Sequence, residues 1–339
     1  MKHILKVTLA TTALSLTSLH SVADVDPWVV AADIPGLIGD LWPNGKRSSK
    51  GISFSGPVAG ANQAGSFNVV TFNVDGFPKS IGGASNSDTK TLFKIMEQQD
   101  YDMVFMQELF TSDKHNKLRD QLSDQSYPYR SYHHRGSRTS FGSGLVRLSD
   151  FPFDRDSGFD REDWNNCFDI DCYTEKGFTF QRHYIDEGFV LDVYNIHTDA
   201  GGQEGDIKAK RKGMEQLASY INSHSAGNAV IVAGDYNLSW SDDSKSKSAE
   251  FYEINVNFLN ATGLQYVCQV THGGSYENSL DGCKYHFSKP DRIAFKSGGG
   301  YTLTPTHLEY VQGIFVKDNG NEISDHYPLK AEFSWQQVQ

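Results

Sequence analysis

No stretch of this 339-residue sequence is both long and apolar enough to cross a bilayer. Its one apolar opening, Val7 to Leu19, is short and rich in Thr and Ser. Positive charge is scarce: 31 lysines and arginines face 42 aspartates and glutamates, a formal charge of −11. A chain this acidic is a poor general ligand for polyanions, so nucleic acid would have to be met by a local basic site or a bound cation. Cysteines number four, Cys167, Cys172, Cys268 and Cys283, with no C-x-x-C spacing. That disfavours a cysteine-rich zinc site. Internal repeats and long low-complexity segments are lacking too, which argues against solenoid architectures.

What is present begins with an address. Met1 to Lys6 is basic, Val7 to Leu19 is apolar, and Ser21-Val22-Ala23 is a small-x-Ala exit. This is the pattern of a secretory signal peptide, residues 1–23, and it predicts an extracellular or periplasmic protein. Its removal would take away two lysines and no acids. An even cysteine count in an exported chain predicts two disulfides. Three pairings are possible, and the neighbours are expected to join: Cys167 with Cys172, and Cys268 with Cys283. Residues 24–63 are rich in Gly, Pro and Ser, with Trp28 and Trp42 as the large anchors. They read as a tail before one domain over 64–339.

Within that domain, apolar strand-like runs end in polar groups. Phe67 to Val74 ends at Asn73; Met103 to Gln107 is followed by Glu108; Phe189 to Ile196 by His197. Ala229 to Ala233 leads into Gly234-Asp235-Tyr236-Asn237, where Asp235 and Asn237, two apart, face the same side. Asp291 opens a strand over 291–295, and Asp325-His326 precedes the last one, Leu329 to Trp335. Helical spacing follows Asp88, spans Asp113 to Leu122 and Asp206 to Ser223, and recurs around Ala249 to Leu259. A glycine-led strand is expected over Phe141 to Leu148, and an acidic loop over 154–176. Strands alternating with helices in two similar halves predict an α+β sandwich of two sheets with helices outside.

Each polar strand end alone has a bland explanation, such as an Asx turn at Asp235 or a packed histidine at His197. Together they make a chemical kit. A carboxylate and an amide offer hard oxygens that suit Mg²⁺, with Mn²⁺ or Ca²⁺ as alternatives. Histidines with acids beside them suit proton transfer. That combination serves metal-assisted hydrolysis of a phosphodiester.

In sequence order, Thr71-Phe72-Asn73, Gln107-Glu108, Asn195-Ile196-His197, Gly234-Asp235-Tyr236-Asn237, Asp291-Arg292-Ile293 and Ser324-Asp325-His326-Tyr327-Pro328-Leu329 resemble the endonuclease/exonuclease/phosphatase superfamily. The resemblance covers about residues 64 to 335. It implies a four-layer α/β sandwich of the deoxyribonuclease I type, two facing mixed sheets flanked by helices. It implies Glu108 as principal Mg²⁺ ligand, helped by Asn73, and Asp325 as a further metal-site or histidine-orienting acid. His326 would be the general base. His197, oriented by Asp291, would be the general acid or an electrostatic partner of the phosphate. Asp235 and Asn237 would position phosphate and water.

The branch is divided. Glu175-Lys176-Gly177-Phe178 and Tyr194-Asn195-Ile196-His197-Thr198-Asp199 resemble secreted sphingomyelinases, whereas Asp291-Arg292-Ile293 and the 323–328 segment resemble deoxyribonuclease I. A phospholipid head group at a membrane surface is the leading substrate and DNA the alternative. For DNA, Arg130, Arg135 and Arg138 would form the phosphate-binding rim. For lipid, the 272–287 loop would meet the membrane. A silent binding domain on the same scaffold is the third reading. No protein partner is implied, and a monomer is expected.

Overall fold

Unbroken β-branched and aromatic runs make poor helices and good buried strands, and four of them set the framework. The structure, a computed structural model, describes residues 62–123, 125–131, 133–134, 141–153, 160–239, 246–272, 283 and 288–338. The expected signal peptide and nearly all of the 24–63 tail lie outside these residues. In chain order the elements are β1 (Ala64–Asn73), α1 (Asn86–Met96), β2 (Met103–Gln107), α2 (Ser112–Gln121), β3 (Tyr129–Arg130), β4 (Val146–Ser149) and β5 (Asp160–Asp163). Then come β6 (Gly177–Asp186), β7 (Phe189–His197), α3 (Glu204–His224), β8 (Ala229–Asp235), α4 (Ser246–Thr262), β9 (Gln265–Tyr266) and α5 (Val267–Thr271). The chain closes with β10 (Asp291–Lys296), β11 (Tyr301–Tyr310) and β12 (Leu329–Gln337).

Two six-stranded sheets result, in the orders β11-β12-β1-β2-β4-β3 and β5-β6-β7-β8-β10-β9. Each is mixed. β1 and β2 are parallel, as are β7 and β8, and the intervening chain in each case carries a helix, α1 or α3. The remaining pairings are antiparallel. Strand alternation sends Val69, Met103 and Phe105 into one cluster with Val193, Ile231, Ile293 and Phe295 of the opposite sheet. The other face of β1 and β2 sends Val70, Phe72, Val104 and Met106 against Leu92, Phe93 and Met96 of α1. Helix, sheet, sheet, helix: this is the four-layer sandwich that the sequence implies.

Polar bonds also cross the inter-sheet core. Gln107 donates from Nε2 to Asn195 Oδ1 at 2.8 Å. Asn195 Nδ2 donates in turn to the carbonyls of Met106 and Val146, at 3.0 and 3.1 Å. Beside them the buried Arg147 guanidinium reaches the Val193 carbonyl at 3.1 Å and His183 at 2.8 Å. Buried polar groups need such partners, so the two sheets are clasped in one relative position.

Both disulfides pair neighbours as expected, Cys167–Cys172 and Cys268–Cys283, with Cα separations of 5.2 and 5.3 Å. Three differences from the sequence reading stand out. β11 escaped prediction because Thr and Pro305 break its apolar signal. It is the outermost strand of its sheet, where proline is tolerated, and it bulges between Pro305 and His307. The expected 141–148 strand begins only at Val146, because Gly144 turns with φ 71°. The 154–176 loop contains β5 and a 3-10 turn, Asp169–Tyr173. Among the described residues, no helix is long and apolar enough to cross a membrane.

Candidate active site

Strand register, more than sequence proximity, assembles the site. In the second sheet His197 lies opposite Asp235, and Asp235 lies opposite Asp291, so three strand ends share one level. In the first sheet Asn73 lies opposite Gln107, which delivers Glu108 just past the end of β2. Two glycines keep this edge close-packed. A Cβ on Gly76 would meet the Glu108 carbonyl oxygen at 2.1 Å, and one on Gly234 would meet that of Ile196 at 2.1 Å. Glu108 itself adopts φ 67°, a left-handed conformation unusual for a side-chain-bearing residue and characteristic of functional turns.

The two levels meet. Asn73 donates from Nδ2 to Glu108 Oε1 at 2.9 Å and to Asp235 Oδ2 at 3.1 Å, which bridges the sheets. His197 Nε2 lies 3.5 Å from Asp235 Oδ2 and 3.8 Å from Glu108 Oε1. His326 Nε2 lies 3.9 Å from Asp235 Oδ2, while its Nδ1 meets Asp291 Oδ2 at 2.8 Å. Asp291 therefore orients His326, and the expected pairing of Asp291 with His197 is corrected. The antiparallel register puts Asp291 beside Asp235, and the loop before β12 brings His326 over it. His197 is buried, and neither ring nitrogen has a hydrogen-bond partner among the described residues. A buried, unsatisfied imidazole facing two carboxylates is unusual for packing and natural for a group awaiting a substrate.

The electrostatics divide the two histidines. Burial, with Lys176 nearby, holds His197 well below the usual imidazole value, so it is neutral. For His326, burial works downward, but Asp291, Asp235 and Asp325 outweigh it and lift the ring to about 10. In the free protein His326 thus carries a proton at neutral pH. For Asp235, burial works upward, yet His197, His326, Lys176 and the Asn73 amide keep its carboxyl below the ordinary value. Glu108 goes the other way, to about 7. Burial dominates, Lys176 and Asn73 oppose it, and Asp235 adds repulsion.

Glu108 is therefore a carboxylate short of positive charge, which a divalent cation would supply. Among the described residues no three His, Cys, Asp or Glu side chains form a metal cage. The donor set fits Mg²⁺ nonetheless, because that ion takes one or two carboxylates and fills its remaining positions with water and phosphate oxygens. Asn73 turns its amide nitrogen to Glu108 Oε1, and its Oδ1 accepts from the Asp75 backbone N–H at 3.1 Å, so its side chain orders the Glu108 carboxylate. Asp325 is exposed at the rim, where its charge acts on Asp75 and His326. Asn237 adopts φ 48°, donates its amide N–H to Asp235 Oδ1 at 2.9 Å and its side-chain Nδ2 to the Thr198 carbonyl at 3.2 Å.

Lys176 was given no role by sequence. It is buried, paired with Asp171 at 2.6 Å, and its charge reaches Glu108, His197 and Asp235. The available signal was its place one residue before a buried strand. Arg130 bonds the Tyr127, Ser123 and Ser126 carbonyls, so it serves its own loop instead of forming a rim. Arg135 and Arg138, and most of the 272–287 loop, lie outside the described residues.

The sequence model of the Endonuclease/Exonuclease/phosphatase family matches residues 70–326. A sphingomyelinase of Mycobacterium bovis is 29% identical over 309 residues, which is 89% of this chain and 60% of that protein. The chain thus spans about three-fifths of the length of the curated relatives it matches. Among solved structures, beta toxin from Staphylococcus aureus with bound magnesium ions superposes with a TM-score of 0.54 at 17% identity, over 81% of this chain and 100% of the toxin. D. rerio TDP2 in complex with a single-strand DNA product superposes with 0.52 at 17% identity, over 79% and 98%. At these identities the structural matches establish the shared fold.

Proposed function

This chain belongs to the endonuclease/exonuclease/phosphatase family, and from that premise we propose a secreted, Mg²⁺-dependent phosphodiesterase that cleaves a phospholipid head group as a sphingomyelinase does. The observation that carries the reading is the convergence of Glu108, Asp235, His197 and His326 from both sheets onto one buried point, with His197 unsatisfied. A silent binding domain would have no need of it. The mycobacterial likeness and the acidic balance support lipid over DNA. The N-terminal pattern and two disulfides support export.

Glu108 would hold the cation, with Asn73 ordering its carboxylate. The bound ion would offset the charge of the phosphoryl group and polarise it. Neutral His197 would donate a hydrogen bond to a phosphoryl oxygen, and Lys176 would lend positive charge behind it. Asp235 and Asn237 would position the attacking water. His326, oriented through Nδ1 by Asp291, would take the water's proton at Nε2 as the phosphorus–oxygen bond to the lipid alcohol breaks, and that proton, delivered by His326 or through solvent, would pass to the departing alcohol oxygen. That role requires His326 to shed the proton it holds in the free protein.

The test is a side-by-side assay with Mg²⁺ and with chelator, on sphingomyelin vesicles and on double-stranded DNA, with His326→Ala as control. Chelator-sensitive phosphocholine release supports the reading. DNA cleavage alone would replace the substrate. Silence in both arms, or full activity in His326→Ala, would sink the mechanism.

A further inference from the structure

Lys210 has no part in the mechanism above, yet it reaches the strand ends that carry the site. It belongs to α3, is only 1% exposed, and no carboxylate among the described residues lies within ion-pair distance of its ammonium. Other groups meet its N–H donors. Nζ donates to the Gly201 carbonyl at 2.5 Å and to the Asn237 carbonyl at 2.8 Å, and it stands 4.6 Å from the centre of the Phe251 ring. Burial pulls the ammonium down to about 8, so it stays charged at neutral pH, and its charge acts on Asp206 and Asp235 from farther off. A buried ammonium without a counter-ion costs free energy that an apolar side chain of similar volume does not. Packing alone does not account for a lysine here.

The two carbonyls belong to different loops. Gly201 is in the loop that follows His197, and Asn237 is in the turn that follows Asp235. Thr198 already stitches these loops together. Its backbone N–H donates to the Asp235 carbonyl at 3.1 Å, its hydroxyl donates to the Tyr236 carbonyl, and its own carbonyl accepts from Asn237 Nδ2 at 3.2 Å. Lys210 adds a further stitch between the same loops. Asn237 sits at φ 48°, a left-handed conformation that persists where neighbours hold it. Two cations hold it: Lys210 takes the Asn237 carbonyl, and Arg292 of β10 takes the next one, Leu238, at 2.8 Å. With those carbonyls pinned, the Asn237 N–H meets Asp235 Oδ1 at 2.9 Å.

We propose that Lys210 is a positioning residue for the hydrolytic step: through the Gly201 and Asn237 carbonyls it locks the loop after β7 to the turn after β8, and so holds Asp235 and Asn237 where they meet the attacking water. This rests on the phosphodiesterase reading and adds a residue that touches neither substrate nor metal. The test is a double-mutant cycle of Lys210→Met, which keeps the stem and removes the donors, with Asn237→Ala, on sphingomyelin vesicles with Mg²⁺. Lys210→Met should lower kcat by ~10- to 100-fold and leave KM and the apparent Mg²⁺ affinity within ~3-fold. The double variant should be faster, by at least ~3-fold, than the product of the two single losses, because both changes act on one element. Lys210→Gln, which keeps an amide donor, is carried in parallel and should lose ~3- to 10-fold in kcat with KM unchanged.

Amide hydrogen exchange of the metal-free protein reads the lock independently of turnover. In both Lys210 variants the Asn237 backbone amide should exchange at least ~10-fold faster, while that of Val232, in the middle of β8, keeps its rate. Faster exchange at Asn237 in a protein that hydrolyses no phosphodiester would keep Lys210 as the residue that places Asn237 and refute the phosphodiesterase. Unchanged exchange at Asn237, a raised KM with kcat intact, or losses that multiply fully in the double variant would overturn the role of Lys210.

Discussion

A divalent cation at Glu108 should bind in competition with a proton. With the carboxyl pushed up to about 7, chiefly by burial, ~90% of Glu108 is ionised at pH 8 but only ~10% at pH 6. The apparent Kd for Mg²⁺ should therefore rise ~10-fold between those values and ~100-fold by pH 5, each unit below 7 being worth ~1.4 kcal/mol. Calorimetric titration with MgCl₂ in buffers of different ionisation enthalpy measures affinity and released protons together. Release should approach ~1 proton at pH 6 and fall towards ~0.1 at pH 8. The same shift contributes to the stability of the metal-free protein. A carboxyl raised on folding contributes stability that is present below its unfolded value and lost as pH rises through about 7. Glu108's share of the metal-free stability should thus fall from pH 5 to pH 8 by on the order of 3 kcal/mol at most, read as the part of the Tm slope that Glu108→Gln removes, and Mg²⁺ should restore it. Glu108→Gln should bind weakly with no pH slope. An affinity constant across pH 5.5–8.5, or a slope surviving in Glu108→Gln, would refute the assignment.

His326→Ala should lower kcat by ~10²- to 10⁴-fold and leave Mg²⁺ affinity near wild type. In the free protein His326 should not titrate by NMR between pH 5 and 8, since it is lifted to about 10. In Asp291→Asn it should titrate in that range. If His326 is the base, kcat/KM of the Mg²⁺-loaded enzyme must rise through an acid limb well below 10; a profile without that limb that instead falls off near 10 would make His326 the acid. Asn195→Ala removes the side-chain donor to two carbonyls and one of the three acceptors around the Gln107 amide; denaturant titration should show a loss of ~2–4 kcal/mol with kcat reduced. Removing Cys268–Cys283, whose partners stand 15 residues apart, should cost about 3 kcal/mol in thermal unfolding at fixed pH.

The sequence revealed strands well and partners poorly. β1, β2, β7 and β8 are apolar runs that stop at polar residues, and that pattern alone marked Asn73, Glu108, His197 and Asp235. The partner of Asp291 was not readable, because it depends on the β8–β10 register and on where the loop before β12 lies. Nor was the amide direction of Asn73, which two carboxylates and one backbone N–H decide. β11 was hidden by threonines and Pro305, residues an edge strand accepts and a central one does not. The burial of Lys176 follows from Asp171, which lies in a segment whose composition reads as loop.

The last strand, β12, lies between β11 and β1, in the interior of the first sheet. Chain synthesis is vectorial, so β1 waits for a neighbour that is made some 250 residues later. His326 emerges only just ahead of that neighbour. A chain that stops before residue 326 therefore lacks both His326 and the interior strand of its first sheet. The frame of the site is thus complete only once β12 has been made, and a chain stopped short of residue 326 would keep Glu108, His197 and Asp235 in its sequence without the histidine that Asp291 orients.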